Sequence, residues 1–166
     1  MPSQQTEYGV SFAPAKNQFV RTGYTFADWN SYPDGVGGRS YADGETVENL
    51  AGQNGSRTAA SLYAQWTPIR YTLQFDPGGG SGETAPIEAV YDAAVTLPQS
   101  GFIHPDRVFL GWALRPDADR PDFLPGAQVK NLTALPGNVT LYAVWQSHAA
   151  LQQDYLDRLD ALSASY

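Results

Sequence analysis

The 166-residue sequence contains no cysteine. Disulfide staples, thiolate zinc sites and cysteine nucleophiles are therefore excluded together. Basic residues are scarce: ten Lys and Arg stand against seventeen Asp and Glu, a formal charge of −7. Every part of the chain shares that acidic balance, so no basic stripe exists for phosphate-driven nucleic-acid binding or for attachment to anionic membrane. No apolar run reaches the roughly 18 residues a spanning helix needs, and no membrane insertion is expected. The start, Met1-Pro2-Ser3-Gln4-Gln5-Thr6-Glu7, lacks the basic-then-apolar order of a signal peptide. With no wall-anchor sequence either, a fragment or passenger of a larger protein is the expectation. Histidine is limited to His104 and His148, neither with a neighbour at metal-ligand spacing. Both read as surface or loop residues, and no metal or other cofactor is expected.

What is present points elsewhere. Aromatics reach 13% while charged residues make up only 16%, with 16 Gly and 12 Pro. Aromatics combined with turn-formers indicate short strands and tight turns and not a helical bundle. Disorder is excluded by the apolar area those rings supply.

An internal repeat organises the chain. Trp29 and Trp112 are 83 residues apart, as are Tyr8 and Tyr91, Phe19 and Phe102, and Phe26 and Phe109. The segment Tyr41–Leu50 lies over Phe123–Leu132 at an offset of 82. Both copies close alike, with Leu62-Tyr63-Ala64-Gln65-Trp66 and Leu141-Tyr142-Ala143-Val144-Trp145. The organisation read from this is a first copy over residues 1–66, a linker over 67–69, a second copy over 70–146 and a tail over 147–166. The copies are unequal. The second opens with the alternating strand Arg70-Tyr71-Thr72-Leu73-Gln74-Phe75-Asp76 and the turn Pro77-Gly78-Gly79-Gly80-Ser81-Gly82, whose glycines suit positive φ. The first has only seven residues before Tyr8, mostly polar, so it is expected to lack both its opening strand and its glycine turn.

Within one copy, Gly23–Trp29 and Val108–Trp112 read as strands rich in β-favouring aromatics. Ser61–Trp66 and Val139–Trp145 read as closing strands. Between them, Val47-Glu48-Asn49-Leu50 and Val129-Lys130-Asn131-Leu132 are expected as single helical turns that set a Val and a Leu into the core. The expected core is Phe19, Phe26, Trp29, Leu62, Trp66, Leu73, Phe75, Phe102, Phe109, Trp112, Leu141 and Trp145. From Ala149 to Tyr166 neither Gly nor Pro occurs, and Leu151, Tyr155, Leu159, Leu162 and Tyr166 share one helical face. Ser147 is the expected N-cap, and Asp154 with Arg158 an i,i+4 pair.

Phe19–Trp29, followed by Tyr41-Ala42-Asp43-Gly44 and Leu62–Trp66, resembles the Listeria–Bacteroides repeat, also called the internalin B-repeat. Thr67–Gly79 fits the usual opening of that repeat, and the likeness covers roughly residues 8–146. The resemblance implies a mainly β, α+β fold of tandem small β-grasp-like modules, related in shape to ubiquitin-like and mucin-binding repeats, here with a C-terminal amphipathic helix. It implies a stalk, spacer, adhesion or host-contact role on bacterial surface or secreted proteins, extracellular and without catalytic residues. Asp28 departs from the family's usual Gly before the first Trp, and the missing opening strand questions whether the first copy is a complete fold.

Other chemistry finds little support. Asp117, Asp119 and Asp122 fail the spacing of an EF-hand loop, with Pro121 at the fifth position and no Glu at the twelfth. The glycine turn lacks the Lys of a phosphate-binding loop and leads into further strand. No Ser/His/Asp grouping is visible, so no enzyme is expected. The alternative to a stalk or adhesion role is glycan or mucin binding through the tyrosines Tyr24, Tyr32, Tyr63 and Tyr142. The partner expected is a host or bacterial surface protein or a glycan. The gap left by the missing strand calls for cover, by strand exchange in a homodimer, by an upstream segment, or by packing of the tail helix on the first module.

Overall fold

The computed structural model describes residues 1, 3–51 and 59–164. The chain divides into two compact units, Met1–Ile69 and Arg70–Tyr166. It is mainly β with one C-terminal helix.

In unit 1, aromatic alternation makes the strand Tyr24–Asn30 (β1). Tyr24, Phe26 and Asp28 are the more buried positions and Thr25 and Ala27 the exposed ones. An irregularity between Phe26 and Trp29 adds a residue to β1 and brings Trp29 into the core. Ser40–Tyr41 (β2) and Tyr63–Pro68 (β3) flank β1, both antiparallel to it. Trp29 stands opposite Tyr41 on one side and Ala64 on the other, and Phe26 stands opposite Trp66. The pairing runs on through Thr67 and Pro68, and the Ile69 N–H donates to the Gly23 carbonyl at 2.9 Å. Residues read from sequence as linker thus sit in a ladder, with Ile69 buried. Trp29, Tyr41, Val47 and Leu50 form the core, with Phe12, Phe26, Leu62 and Ala64 against it.

Unit 2 begins with Arg70–Asp76 (β4), followed by Ser81–Gly82 (β5), Ile87–Val90 (β6), Val95–Thr96 (β7), Phe102–Ile103 (β8), Arg107–Ala113 (β9), Gln128–Val129 (β10) and Gly137–Ser147 (β11). Its main sheet has the order β6-β4-β11-β9. The central pair β4 and β11 is parallel and the outer pairs are antiparallel. Two small ladders, β10 with β7 and β5 with β8, close the ends. Tyr71, Leu73, Leu97, Phe102, Trp112, Val129 and Leu141 are buried together. The glycine turn adopts the positive φ values its composition called for, 56° at Gly78 and 92° at Gly79. The tail forms the helix His148–Ser163 (α1), capped by the Ser147 hydroxyl, which accepts the Ala150 N–H at 3.2 Å. Arg158 and Asp154 pair at 3.0 Å. Leu151 is partly buried, while Tyr155 is 61% and Leu159 44% exposed.

Two expectations are corrected. Val47–Leu50 and Val129–Leu132 are not helical turns. Val47 bridges Phe12 and Val129 lies in β10, each extended, and the Asn two residues on is left-handed, φ 54° at Asn49 and 56° at Asn131. Asparagine tolerates that region because its short side chain bonds locally. The valines and leucines still point inward: Val47, Val129 and Leu50 are buried and Leu132 partly so. The second correction is Phe19, expected in the core but 46% exposed, whereas Phe102, its counterpart, is 6% exposed. In unit 2, Phe102 belongs to β8 and pairs with Gly82 at the end of the glycine turn. Among the described residues unit 1 has no such ladder beside Phe19.

Candidate functional site

The aromatic cluster is built twice with one geometry. Phe26 and Trp29 have ring centroids 5.2 Å apart, and Phe109 and Trp112 4.9 Å. Phe26 meets Trp66 at 5.8 Å as Phe109 meets Trp145 at 5.7 Å, and Phe19 meets Trp29 at 6.1 Å as Phe102 meets Trp112 at 6.2 Å. Trp29, Leu73, Phe102, Trp112 and Leu141 are buried, and Phe26, Leu62, Trp66, Phe75, Phe109 and Trp145 are partly buried. These rings are engaged with one another in edge-on and tilted contacts. Each buried indole N–H has an acceptor: the Asp43 carboxylate at 3.1 Å for Trp29 and the Pro98 carbonyl at 3.0 Å for Trp112.

A second constellation, which sequence reading missed, is also duplicated. The Asn49 side chain accepts the Gly9 N–H at 2.7 Å, and the Asn131 side chain accepts the Asp92 N–H at 2.6 Å. Asn131 also donates to the Asp92 carboxylate at 2.7 Å. Each asparagine thus ties the turn after Tyr8 or Tyr91 to the chain just past Val47 or Val129. The matching Asn at one offset in both copies was the signal that could have found it.

The three tyrosines of unit 1 do not gather at one place. Tyr32 and Tyr63 are exposed, Tyr24 and Tyr142 partly buried. The Gln65 side-chain amide donates to the carbonyls of Tyr63 and Tyr32, at 3.2 and 3.5 Å, which places those two at one end of unit 1. Tyr24 lies at the other end of the same ladder, opposite Pro68, with the Arg21 guanidinium stacked 3.7 Å over its ring. Tyr142 belongs to unit 2, opposite Ala113 and Asp76.

Concave surface in unit 1 lies elsewhere, beside Trp29. A cleft of about 230 Å³ is walled by Phe12, Phe19, Trp29, Leu50, Ala60 and Leu62, with the N-terminal residues Met1, Ser3 and Gln4 along one side. A second, of about 220 Å³, lies between Gln4–Tyr8 and Ala59–Ala60. The first has Ser3 and Gln4 beside its apolar residues and no charged side chain, whereas Gln4, Gln5, Thr6, Glu7 and Asn49 line much of the second.

Among the described residues no three His, Cys, Asp or Glu side chains gather where they could hold a metal ion. His104 Nδ1 accepts the Asp106 N–H at 3.2 Å within its turn, and His148 Nδ1 lies 3.1 Å from the Asp106 carbonyl. Asp122 accepts the Leu114 N–H at 2.8 Å, while Asp117 and Asp119 are exposed. No described helix is long and apolar enough to cross a membrane.

The Listeria-Bacteroides repeat domain model matches residues 1–65 and again 71–144. The chain belongs to the Listeria-Bacteroides repeat family. A protein of Evansella cellulosilytica named "Putative Gly-rich membrane protein" is 30% identical over 136 residues, which is 80% of this chain and 14% of that protein. The chain therefore spans about a seventh of the length of that relative. No solved structure matches the chain. Both repeats keep the register Phe–Trp and Trp–Ala between the aromatic strand and the closing strand. In the second repeat β4 lies along β11 from Tyr71 to Asp76; among the described residues the first repeat has no strand in that place.

Proposed function

We propose that the chain is a non-catalytic tandem repeat segment of a bacterial surface or secreted protein, serving as a stalk or spacer and as an adhesion or host-contact module. The observation that carries this reading is the duplication: one aromatic cluster, one ladder register and one asparagine tie are reproduced in both repeats. Residues repeated for mutual packing suit a part that sets length and presents surface, since function on such a scaffold resides in sites added to it. The order β6-β4-β11-β9 with its parallel central pair supports a β-grasp-like reading of the second repeat. The name of the Evansella relative supports a place at the cell envelope.

A second reading, glycan or mucin binding, is favoured by the exposure of Tyr32 and Tyr63 at one end of unit 1. Labelled protein applied to a glycan array and to host cells with and without protease treatment tests both. Protease-sensitive cell binding without sugar preference supports adhesion to proteins. Sugar-specific binding abolished by Tyr32→Ala or Tyr63→Ala would replace the first reading with the second.

A further inference from the structure

The outer face of the unit 2 sheet is polar and grooved. Tyr71 and Leu73 are buried and Phe75 packs on the core, so Thr72, Gln74 and Asp76 lie on the opposite face of β4. Leu141 is buried in the same way, which puts Thr140 and Tyr142 on that outer face of β11. The parallel register sets Gln74 beside Thr140 and Asp76 beside Tyr142. These two rows are about 6.6 Å apart along the strands, and their members about 4.8 Å apart across them. β6 pairs with β4 only from Arg70 to Leu73. Beyond Leu73 the loop that carries Thr84 and Pro86 stands off the strand and leaves a cleft of about 380 Å³ over Gln74, Asp76 and Thr140. A second cleft, of about 710 Å³, adjoins it between the same loop and Phe75, Pro77 and Phe102.

We propose that this groove is a carbohydrate subsite that takes a neutral pyranose ring. The Asp76 carboxylate and the Gln74 amide offer acceptors and a donor to adjacent sugar hydroxyls, and the Thr140 hydroxyl adds a third contact. Tyr142, next to Asp76, and Pro86 supply apolar surface for the C–H face of the ring. A few fixed polar groups among apolar ones is the make-up of small-ligand sites, and both volumes lie in their range of roughly 300–1,000 Å³. Among the described residues no hydrogen bond occupies the side chains of Gln74, Thr140 or Tyr142, and Asp76 commits one carboxylate oxygen, which accepts the Gly78 N–H at 2.9 Å. That bond holds the carboxylate in place. The Thr84 hydroxyl holds the loop, accepting the Gly101 N–H at 3.0 Å. Polar groups fixed in advance reduce the ordering cost of binding.

Charge narrows the class. Asp76 lines the first cleft and Glu83 the second, and Glu88 stands beside Thr72, whose hydroxyl it accepts at 2.7 Å. No Lys or Arg lines either cleft. A sialylated or sulfated sugar would meet carboxylates with no cation to offset them. A neutral ring brings hydroxyls alone. It engages few atoms, so a dissociation constant on the order of 1 mM is expected for a monosaccharide. A sugar site here rests on the glycan reading above for its ligand class and deepens it, with residues of unit 2 in place of Tyr32 and Tyr63.

The test uses the full chain, isotope-labelled, titrated with the methyl glycosides of glucose, galactose, mannose and N-acetylglucosamine, and separately with N-acetylneuraminic acid and a trilysine peptide. Saturable shifts with at least one neutral sugar are expected at the Gln74 side-chain amide and the Gly78 and Gly101 N–H signals, with the Trp29 indole N–H unmoved. Asp76→Asn and Gln74→Ala should each weaken that binding at least about fivefold, with an unchanged Trp112 indole N–H signal as the check on folding. Sugar shifts confined to unit 1 and lost with Tyr32→Ala would overturn the proposal and uphold the glycan reading. No shift with any neutral sugar up to roughly 30 mM, some thirty times the expected dissociation constant, would overturn both. Equal binding by Asp76→Asn and Gln74→Ala, or tighter binding of N-acetylneuraminic acid, would overturn the site. Trilysine shifting the same signals at lower concentration than every sugar would overturn the assignment to carbohydrate and make the groove a seat for a basic peptide.

Discussion

Replacing Phe75 by Ala should cost unit 2 about 3 kcal/mol and leave unit 1 untouched. Phe75 is partly buried against the core and its ring lies 4.6 Å from that of Trp112, tilted by 53°. Removing roughly 100 Å² of apolar contact costs about 2.5 kcal/mol at 25 cal/mol per Å². Loss of the ring pair adds about 1 kcal/mol. Relaxation of a cleft that borders solvent returns part of that, which places the total at the low end of the roughly 3–5 kcal/mol seen for Phe→Ala. For a unit under 100 residues this corresponds to a melting-point fall of roughly 12–24 °C. The two indole N–H signals separate the units: Trp112 donates to Pro98 in one and Trp29 to Asp43 in the other. Thermal and urea unfolding followed at both signals should show the Trp112 transition shifted and the Trp29 transition in place. A loss under about 1 kcal/mol at Trp112, or an equal fall at Trp29, would refute the role given to the opening strand.

Gly111→Ala should destabilise unit 2 by about 3 kcal/mol, read by urea unfolding. Its new Cβ would stand 2.4 Å from the Phe123 carbonyl oxygen and 2.8 Å from Pro121 Cβ. Asn131→Ala should cost about 2 kcal/mol, from the left-handed backbone at φ 56° and the lost bonds to Asp92. Asn131→Gly, which keeps the backbone term, should cost about half as much in the same assay. Tyr41→Phe should stabilise unit 1 by about 1 kcal/mol in thermal unfolding. It installs the residue of the second repeat, Phe123, and removes a buried hydroxyl with no hydrogen-bond partner among the described residues.

Much of the fold was legible because the aromatic strands are strongly patterned. β1 and β9 fall within a residue or two of the runs read as Gly23–Trp29 and Val108–Trp112, and β11 contains Val139–Trp145. The helix cap and the Asp154–Arg158 pair were local signals and came out as read. The stretches Val47–Leu50 and Val129–Leu132 were misread because a Val and a Leu three apart fit one helical turn as well as an extended residue followed by a left-handed Asn. Only the distant partners, Gly9 and Asp92, decide between these, and they lie 40 and 39 residues away in sequence. Asp28 illustrates the reverse limit. Its counterpart Gly111 is pressed against Phe123 at φ +155°, whereas Asp28 does not share a positive φ and carries a carboxylate oxygen with no partner among the described residues. The same position in two copies has two backbone solutions, and residue type alone signals only one of them.

The main difference between the repeats among the described residues is β4, and it matters widely because that strand is interior in unit 2. Removing an edge strand exposes one row of backbone groups, whereas removing β4 from the order β6-β4-β11-β9 would unpair two. Unit 1 responds at each place that strand and its glycine turn would have touched. β3 shortens to the part that β1 can pair by itself. Phe19 loses the cover that Gly82 gives Phe102. The segment Gln4–Glu7, polar where β6 is apolar at Ile87 and Val90, stays outside any strand.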